Sequence, residues 1–271
     1  MNTKLETFFQ KSKTRDEYSK QFRLDDGTTM AVSYKEPIHY KNAAGEWVDY
    51  DNSLKNETVN SASPDEVTEE YTNKKSDFKV NYSKKSKENS MVKIKGDNQK
   101  ISWGYKDTNK VKSTIVNNDE ELTGNDKFTT LKNLTSEITY ENIYDDVDVQ
   151  YFTTTTGVKE NIILKNKNAR SDFYIQYKFN NLTAKSVDDK TVELLNSKGD
   201  AVYKIEAPFM FDNDGKKSTD LTLSITEQKK NKLTLKVSAD KKFLSDCSYP
   251  VTIDPQFTTS QNWQKSQCTY V

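Results

Sequence analysis

The sequence predicts an all-β fold, an antiparallel β-sandwich or an extended two-layer sheet with few short helices. Three observations predict it. Apolar residues recur with period two along many short stretches, as at Phe173, Ile175, Tyr177 and Phe179, which puts them on one face of a strand. Turn residues punctuate those stretches at Asn42–Gly45, Gly96–Asn98 and Asn196–Gly199, the chemistry that closes hairpins. No regular alternation of helix-length and strand-length segments is present, which argues against a parallel α/β sheet.

The elements follow in order. Residues 1–21 are charged with scattered apolar positions at Leu5, Phe8, Phe9 and Tyr18, and predict a helical or disordered lead-in. From Phe22 the period becomes two, through Met30, Val32 and Tyr34, and Trp47 and Val48 follow the turn at Gly45. Residues 55–75 are polar and read as a long surface loop or an early boundary. Strands resume at Phe78–Tyr82, Met91–Ile94 and Ile101–Trp103, and a polar stretch over 106–135 follows. The second half is more regular, with strands at Ile138–Tyr140, Val147–Tyr151, Val158–Leu164 and Phe173–Phe179, then Thr191–Leu195 and Ala201–Ile205. Leu221–Ile225 and Leu233–Val237 alternate with Thr, Ser and Lys, as antiparallel strands with one wet face do. Val251 and Ile253 form a short strand between Pro250 and Pro255, and Cys268–Val271 reads as the start of another. The expected regions are therefore a lead-in (1–21), an N-terminal β-rich region (22–135), a C-terminal sandwich region (136–255) and the opening of a following β domain (256–271).

Composition narrows the function. The 271 residues carry 41 basic and 41 acidic side chains, a formal charge of zero, which argues against an electrostatic nucleic-acid binder. Mean hydropathy is low at −0.94, yet aromatic residues make up 11%, so the chain is expected to fold and not to stay disordered. No apolar run approaches the ~20 residues of a membrane span. Two cysteines, Cys247 and Cys268, and one histidine cannot supply a four-ligand zinc site. The cysteines read as unrelated thiols. The first ten residues lack the apolar core of a secretory signal.

Several residue groups invite chemistry, and each has a plainer reading. Asp212, Asp214 and Asp220 resemble part of a calcium loop, since carboxylates at short alternate spacing converge oxygens on a hard cation. Asp, Asn and Gly are also the residues of an ordinary turn, the preferred reading. Asp145, Asp146 and Asp148 offer paired carboxylates of the glycosidase kind, but alternation with Val147 and Val149 puts Asp148 on a wet face. His39 has no nucleophile beside it in sequence. Glu160 sits beside an apolar run, where an ion pair with Lys159 or another strand's lysine is expected. Trp47, Trp103 and Tyr105 are the carbohydrate-binding candidates, because aromatic faces suit the apolar faces of pyranoses. Each of the three also fits a core position.

Three stretches carry a family likeness. They are Tyr18–Gly27 with Pro37–Tyr40 and Gly45–Leu54, Ile138–Tyr151 with Gly157–Leu164, and Tyr249–Pro255. Together these resemble the N-terminal β region of large secreted Gram-positive proteins that continue into a DNRLRE-type β domain and RHS (YD) repeats, as in wall-associated and polymorphic-toxin proteins. The likeness runs from about Tyr18 to Pro255. It implies an extracellular or wall-associated structural and presentation module that is not an enzyme, with no catalytic residue and no cofactor. Its expected partners are neighbouring domains of a larger polypeptide and cell-wall glycan, with no nucleic acid and no membrane. The alternative is a carbohydrate-binding module recognising cell-wall or extracellular glycans.

Overall fold

The computed structural model describes residues 15–23, 26–60, 67–95, 100–117, 131–188 and 190–259. Two hairpins come first. β1 (Ser19–Arg23) pairs with β2 (Thr29–Ser33), and β3 (His39–Lys41) pairs with β4 (Trp47–Asp49). Gly45 closes the second hairpin at φ 78°, a conformation that costs glycine little. The chain then lays down β5 (Asp51–Asn60), β6 (Val67–Lys75), β7 (Lys79–Ser83), β8 (Val92–Lys95) and β9 (Lys100–Tyr105) as an antiparallel meander. It crosses over to build β10 (Ser113–Asn117), β11 (Ser136–Tyr144), β12 (Val147–Thr153) and β13 (Gly157–Leu164). β14 (Asp172–Phe179) returns to the first sheet beside β9. β15 (Thr183–Ser186), β16 (Val192–Leu195), β17 (Ala201–Phe211) and the short β18 (Lys217–Ser218) extend the second sheet. β19 (Leu221–Lys229) and β20 (Lys232–Ala239) complete the first. A single turn of helix, α1 (Lys241–Ser245), is capped by the Asp240 side chain, and β21 (Val251–Thr259) inserts between β13 and β17.

The result is two antiparallel sheets, ordered β19-β20-β14-β9-β8-β7-β6-β5 and β10-β11-β12-β13-β21-β17-β16-β15. Their inner faces share one apolar core, as in a β-sandwich. At one side Asn117 joins the sheets: the Leu54 N–H donates to Asn117 Oδ1 at 2.7 Å, and Asn117 Nδ2 donates to the Leu54 carbonyl at 3.3 Å. The two N-terminal hairpins form a cap with its own small core of Ile38, Tyr50, Leu131 and Leu134.

The all-β antiparallel expectation stands. The expected division near residue 135 does not, because the first sheet takes β5–β9 from before it and β14, β19 and β20 from after it. Neither half can bury its apolar face alone. Three other boundaries shift. Residues 19–21 belong to β1, not to the lead-in, because Ser19 to Arg23 pair with β2; residues 1–14 lie outside the described residues. The polar stretch 55–75 is largely a hairpin, since β5 and β6 pair from Asp51 to Lys75. Pro255 does not end the last strand. It sits where β21 has no paired residue on β17, between Glu206↔Gln256 and Phe209↔Asp254, so its missing N–H costs no ladder bond. Cys268–Val271 falls outside the described residues.

Candidate functional site

The most unusual position in the sandwich is Glu160. Along β13 the inward residues are Val158, Glu160, Ile162 and Leu164, so a carboxyl stands where the pattern calls for an apolar side chain. It is 4% exposed. Trp103 and Tyr105 on β9 and Tyr151, its cross-strand partner on β12, surround it as hydrogen-bonding neighbours. The satisfaction is incomplete: Glu160 Oε1, Trp103 Nε1 and the Tyr105 and Tyr151 hydroxyls are buried without a hydrogen bond of good geometry. Burial pushes the carboxyl up to about 7, the three donors pull it back in part, and the charge of Asp254 adds to the rise. The phenols of Tyr105, Tyr151 and Tyr177 are raised for the same reason, burial beside a carboxylate.

The expected ion pair of Glu160 with Lys159 is not formed. Successive strand residues point to opposite faces, so Lys159 lies on the outer face and meets Asp254 at 2.9 Å. Among the described residues no cation pairs with Glu160, and the low dielectric favours its neutral form.

A groove of about 530 Å³ opens between the cap and the sandwich, walled by Tyr34, Ile38, Leu134, Lys159 and the loop Thr154–Gly157. Phe257 also lines it and stacks on Trp103 with ring centroids 4.9 Å apart. One aromatic ring thus separates the groove from the indole beside Glu160.

The sequence candidates fall into different places. Trp103 and Tyr105 are 1% and 0% exposed. Their rings pack on Tyr177, Phe257, Tyr144 and Phe173. Trp47 lies in the cap, half-buried, under the Lys41 ammonium at 5.0 Å. The three do not form a stacking platform, because two are inward-facing residues of one strand. Asp212 spends its carboxylate on the backbone N–H groups of Asp214, Lys216 and Ser248 at 3.1, 2.8 and 3.0 Å, which holds it below the usual carboxylate range. Asp214 bonds the Ser248 hydroxyl. Asp220 follows the short strand β18 and bonds Ser218 Oγ through its own N–H. This is a turn, and among the described residues no three His, Cys, Asp or Glu side chains are grouped to hold a metal ion. Asp148 accepts from the Asn142 N–H at 2.6 Å and meets Lys165 at 2.8 Å, and Asp145 accepts weakly from Asn109. These acids face the surface and Glu160 faces the core, so they make no carboxylate pair across a cleft.

His39 is fully buried in the cap. Its Nδ1 donates to the Asp16 carbonyl at 2.6 Å, and Nε2 lies 3.1 Å from Asp49 Oδ1. Lys20 and Arg15 also reach Asp49, at 3.2 and 3.5 Å. His39 beside the carboxylate and these cations hold the Asp49 carboxyl well below its ordinary value. Cys247 is a free thiol.

The chain is similar over 91% of its length to three curated proteins, at 26% identity in each case. Two are the tRNA nuclease WapA of Bacillus subtilis (strain 168) and the tRNA3(Ser)-specific nuclease WapA of Bacillus spizizenii. The chain spans about a tenth of their length. It is also 24% identical to a wall-associated protein of Geobacillus stearothermophilus, over 74% of this chain and 73% of that one. No family model and no solved structure matches the chain. These likenesses are to wall-associated proteins, and they support a cell-wall or secreted location. No helix among the described residues is long and apolar enough to cross a membrane.

Two expectations are corrected by these relatives. The sequence reading makes the chain a non-enzymatic module with no nucleic-acid partner. Three relatives are by name nucleases, and their named substrate is tRNA. The nucleic-acid expectation leans on the charge balance of this chain, and the non-enzyme expectation on its residue inventory and on the family likeness. Neutrality in about a tenth of such a protein places no limit on what the rest of it binds or cleaves.

Proposed function

We propose that this chain is the β-sandwich region of a wall-associated RHS-repeat protein that acts on tRNA, and that the sandwich is the rigid module presenting the remainder of that protein at the cell surface. The observation that carries the reading is the similarity across 91% of the chain to proteins named as tRNA nucleases, with a wall-associated relative similar over most of its own length. The fold suits the task. Two sheets sharing one core make a stiff unit, and lysines on exposed strands guard their edges. The glycan-binding alternative loses its support, because two of its three aromatic residues are in the core. The test has two parts. Antibody against this chain is used on wall, medium and cytosol fractions of the source cells, and signal in wall or medium is expected; signal confined to the cytosol defeats the reading. Full-length protein is then incubated with total tRNA, and cleavage is expected.

A further inference from the structure

The outer face of the first sheet carries lysines in direct cross-strand register. Lys79 on β7 faces Lys95 on β8, and Lys95 faces Lys100 on β9. One step further along the strands, Lys93 faces Ser102, Ser102 faces Lys178 on β14, and Lys178 faces Lys232 on β20. Adjacent strands lie ~4.8 Å apart and same-face residues ~7 Å apart along a strand. Like charges directly opposite each other destabilise a sheet. The compensation is partial. Lys79 pairs with Glu57, Lys93 with Glu70, and Lys232 lies 3.9 Å from Glu227. Lys95, Lys100 and Lys178 are exposed and have no ion pair among the described residues.

The neighbouring part of this face is covered. A Cβ on Gly104 would lie 2.2 Å from the Lys87 carbonyl oxygen, so the loop between β7 and β8 rests on the sheet there. Gln176, which faces Gly104, is accordingly only 3% exposed. The loop also reaches the second row, where the Ser102 hydroxyl donates to the Asn89 carbonyl at 3.0 Å, and it leaves Lys95, Lys100 and Lys178 exposed. No aromatic side chain stands in those rows, so nothing there offers the stacking surface that single-stranded nucleic acid uses.

We propose that this lysine-lined face docks an extended, base-free phosphodiester polyanion, whose successive phosphates neutralise the opposed ammonium groups of β7, β8, β9, β14 and β20. Relief of like-charge repulsion and release of counterions drive the association. The inference does not depend on the function proposed above, because it rests on register and exposure alone.

The experiment measures binding of the whole chain to synthetic poly(glycerol phosphate), with tRNA as a second ligand, across a salt series. The variant K95Q/K100Q/K178Q is compared with K167Q/K185Q/K217Q, which removes three exposed lysines lying outside these rows. The expected result is polymer binding that weakens at least about tenfold in the first variant, with a salt slope shallower by about 2, and that is unchanged in the second. The first variant is expected to melt no lower than the parent, since the removed charges repel. Absence of polymer binding, or equal losses in both variants, overturns the proposal. Tighter binding of tRNA through the same lysines also overturns it, and makes the face a nucleic-acid surface. Should the first variant fail to fold, the parent's own salt slope decides: a value near zero overturns the proposal.

Discussion

His39 in the cap and Glu160 in the sandwich are both buried titratable side chains, and the two regions treat them in opposite ways. In the cap, His39 is 0% exposed, but its neighbours are a carbonyl, a carboxylate and two cations arranged around Asp49. In the sandwich, Glu160 is equally enclosed, but its neighbours are an indole and phenols. The difference follows from thickness. A pair of short hairpins keeps its polar groups near solvent, where long side chains reach inward and supply countercharge. The middle of a two-sheet core admits no lysine head group without a large desolvation cost. The cap therefore stabilises a charged cluster, and the sandwich stabilises a neutral carboxyl. Four substitutions separate the two regimes.

The largest effect is expected for Trp103→Ala. The indole stacks on Tyr177 and Phe257, and its loss leaves a cavity beside the carboxyl. A cost of ~3–5 kcal/mol is expected in urea unfolding. A loss below about 1 kcal/mol would mean that the core is far looser than described.

Glu160→Gln tests the neutral carboxyl. The folded-state value of about 7 lies above the ordinary 4.5, so the unfolded state releases the proton first as pH rises. The protonated form's contribution is fully present below pH ~4.5 and is lost as pH rises through ~7. Glutamine mimics the protonated form. The variant is expected to match the parent near pH 4.5 and to exceed it by about 3 kcal/mol at pH 9. Parallel pH–stability curves for the two proteins would show that Glu160 keeps an ordinary pKa.

Asp49→Asn tests the charged cluster and has the opposite sign. The Asp49 carboxyl is held low by His39, Lys20 and Arg15, so its contribution is present above pH ~3.8 and fades as pH falls through the lower folded value. The side chain is 51% exposed, so solvent screening limits the loss at neutral pH to about 1 kcal/mol. Hydrogen exchange of the β3 and β4 amides is the suitable measure. Equal exchange in both proteins at pH 7 would show that the cluster does not hold the cap.

Much of this was legible in the sequence. The alternation in Phe173–Phe179 marked β14, and the turns at Gly45 and Gly199 marked two hairpins. The mixing of strands from both sides of residue 135 is not legible in the sequence because strand pairing is long-range: Trp103 faces Tyr177 across 74 positions, and no local pattern records that. Glu160 could be found, as the one charged residue in the inward register Val158, Glu160, Ile162 and Leu164. Its neighbours Trp103, Tyr105 and Tyr151 could not be grouped with it, because they come from two other strands. The aromatic residues proposed to bind sugar were rightly read as strand residues, but alternation alone does not say which face meets the second sheet.

The smallest effect is expected for Trp47→Ala, and its value lies in the match with Trp103. Both tryptophans occupy strands, and sequence pattern treats them alike. Trp47 is half-buried on a three-residue strand, and its closest charged partner is the Lys41 ammonium above the ring. An exposed cation–π contact contributes ~0.5–1 kcal/mol, and the partial burial adds little because the cap core is built from other residues. A total near 1 kcal/mol is expected, read as faster exchange in β3 and β4 with the sandwich amides unchanged. If the sandwich amides exchange faster too, the cap and the sandwich unfold as one unit. The contrast between a charged cap and a neutral core would then describe two chemistries inside a single cooperative structure, not two structures of different stability.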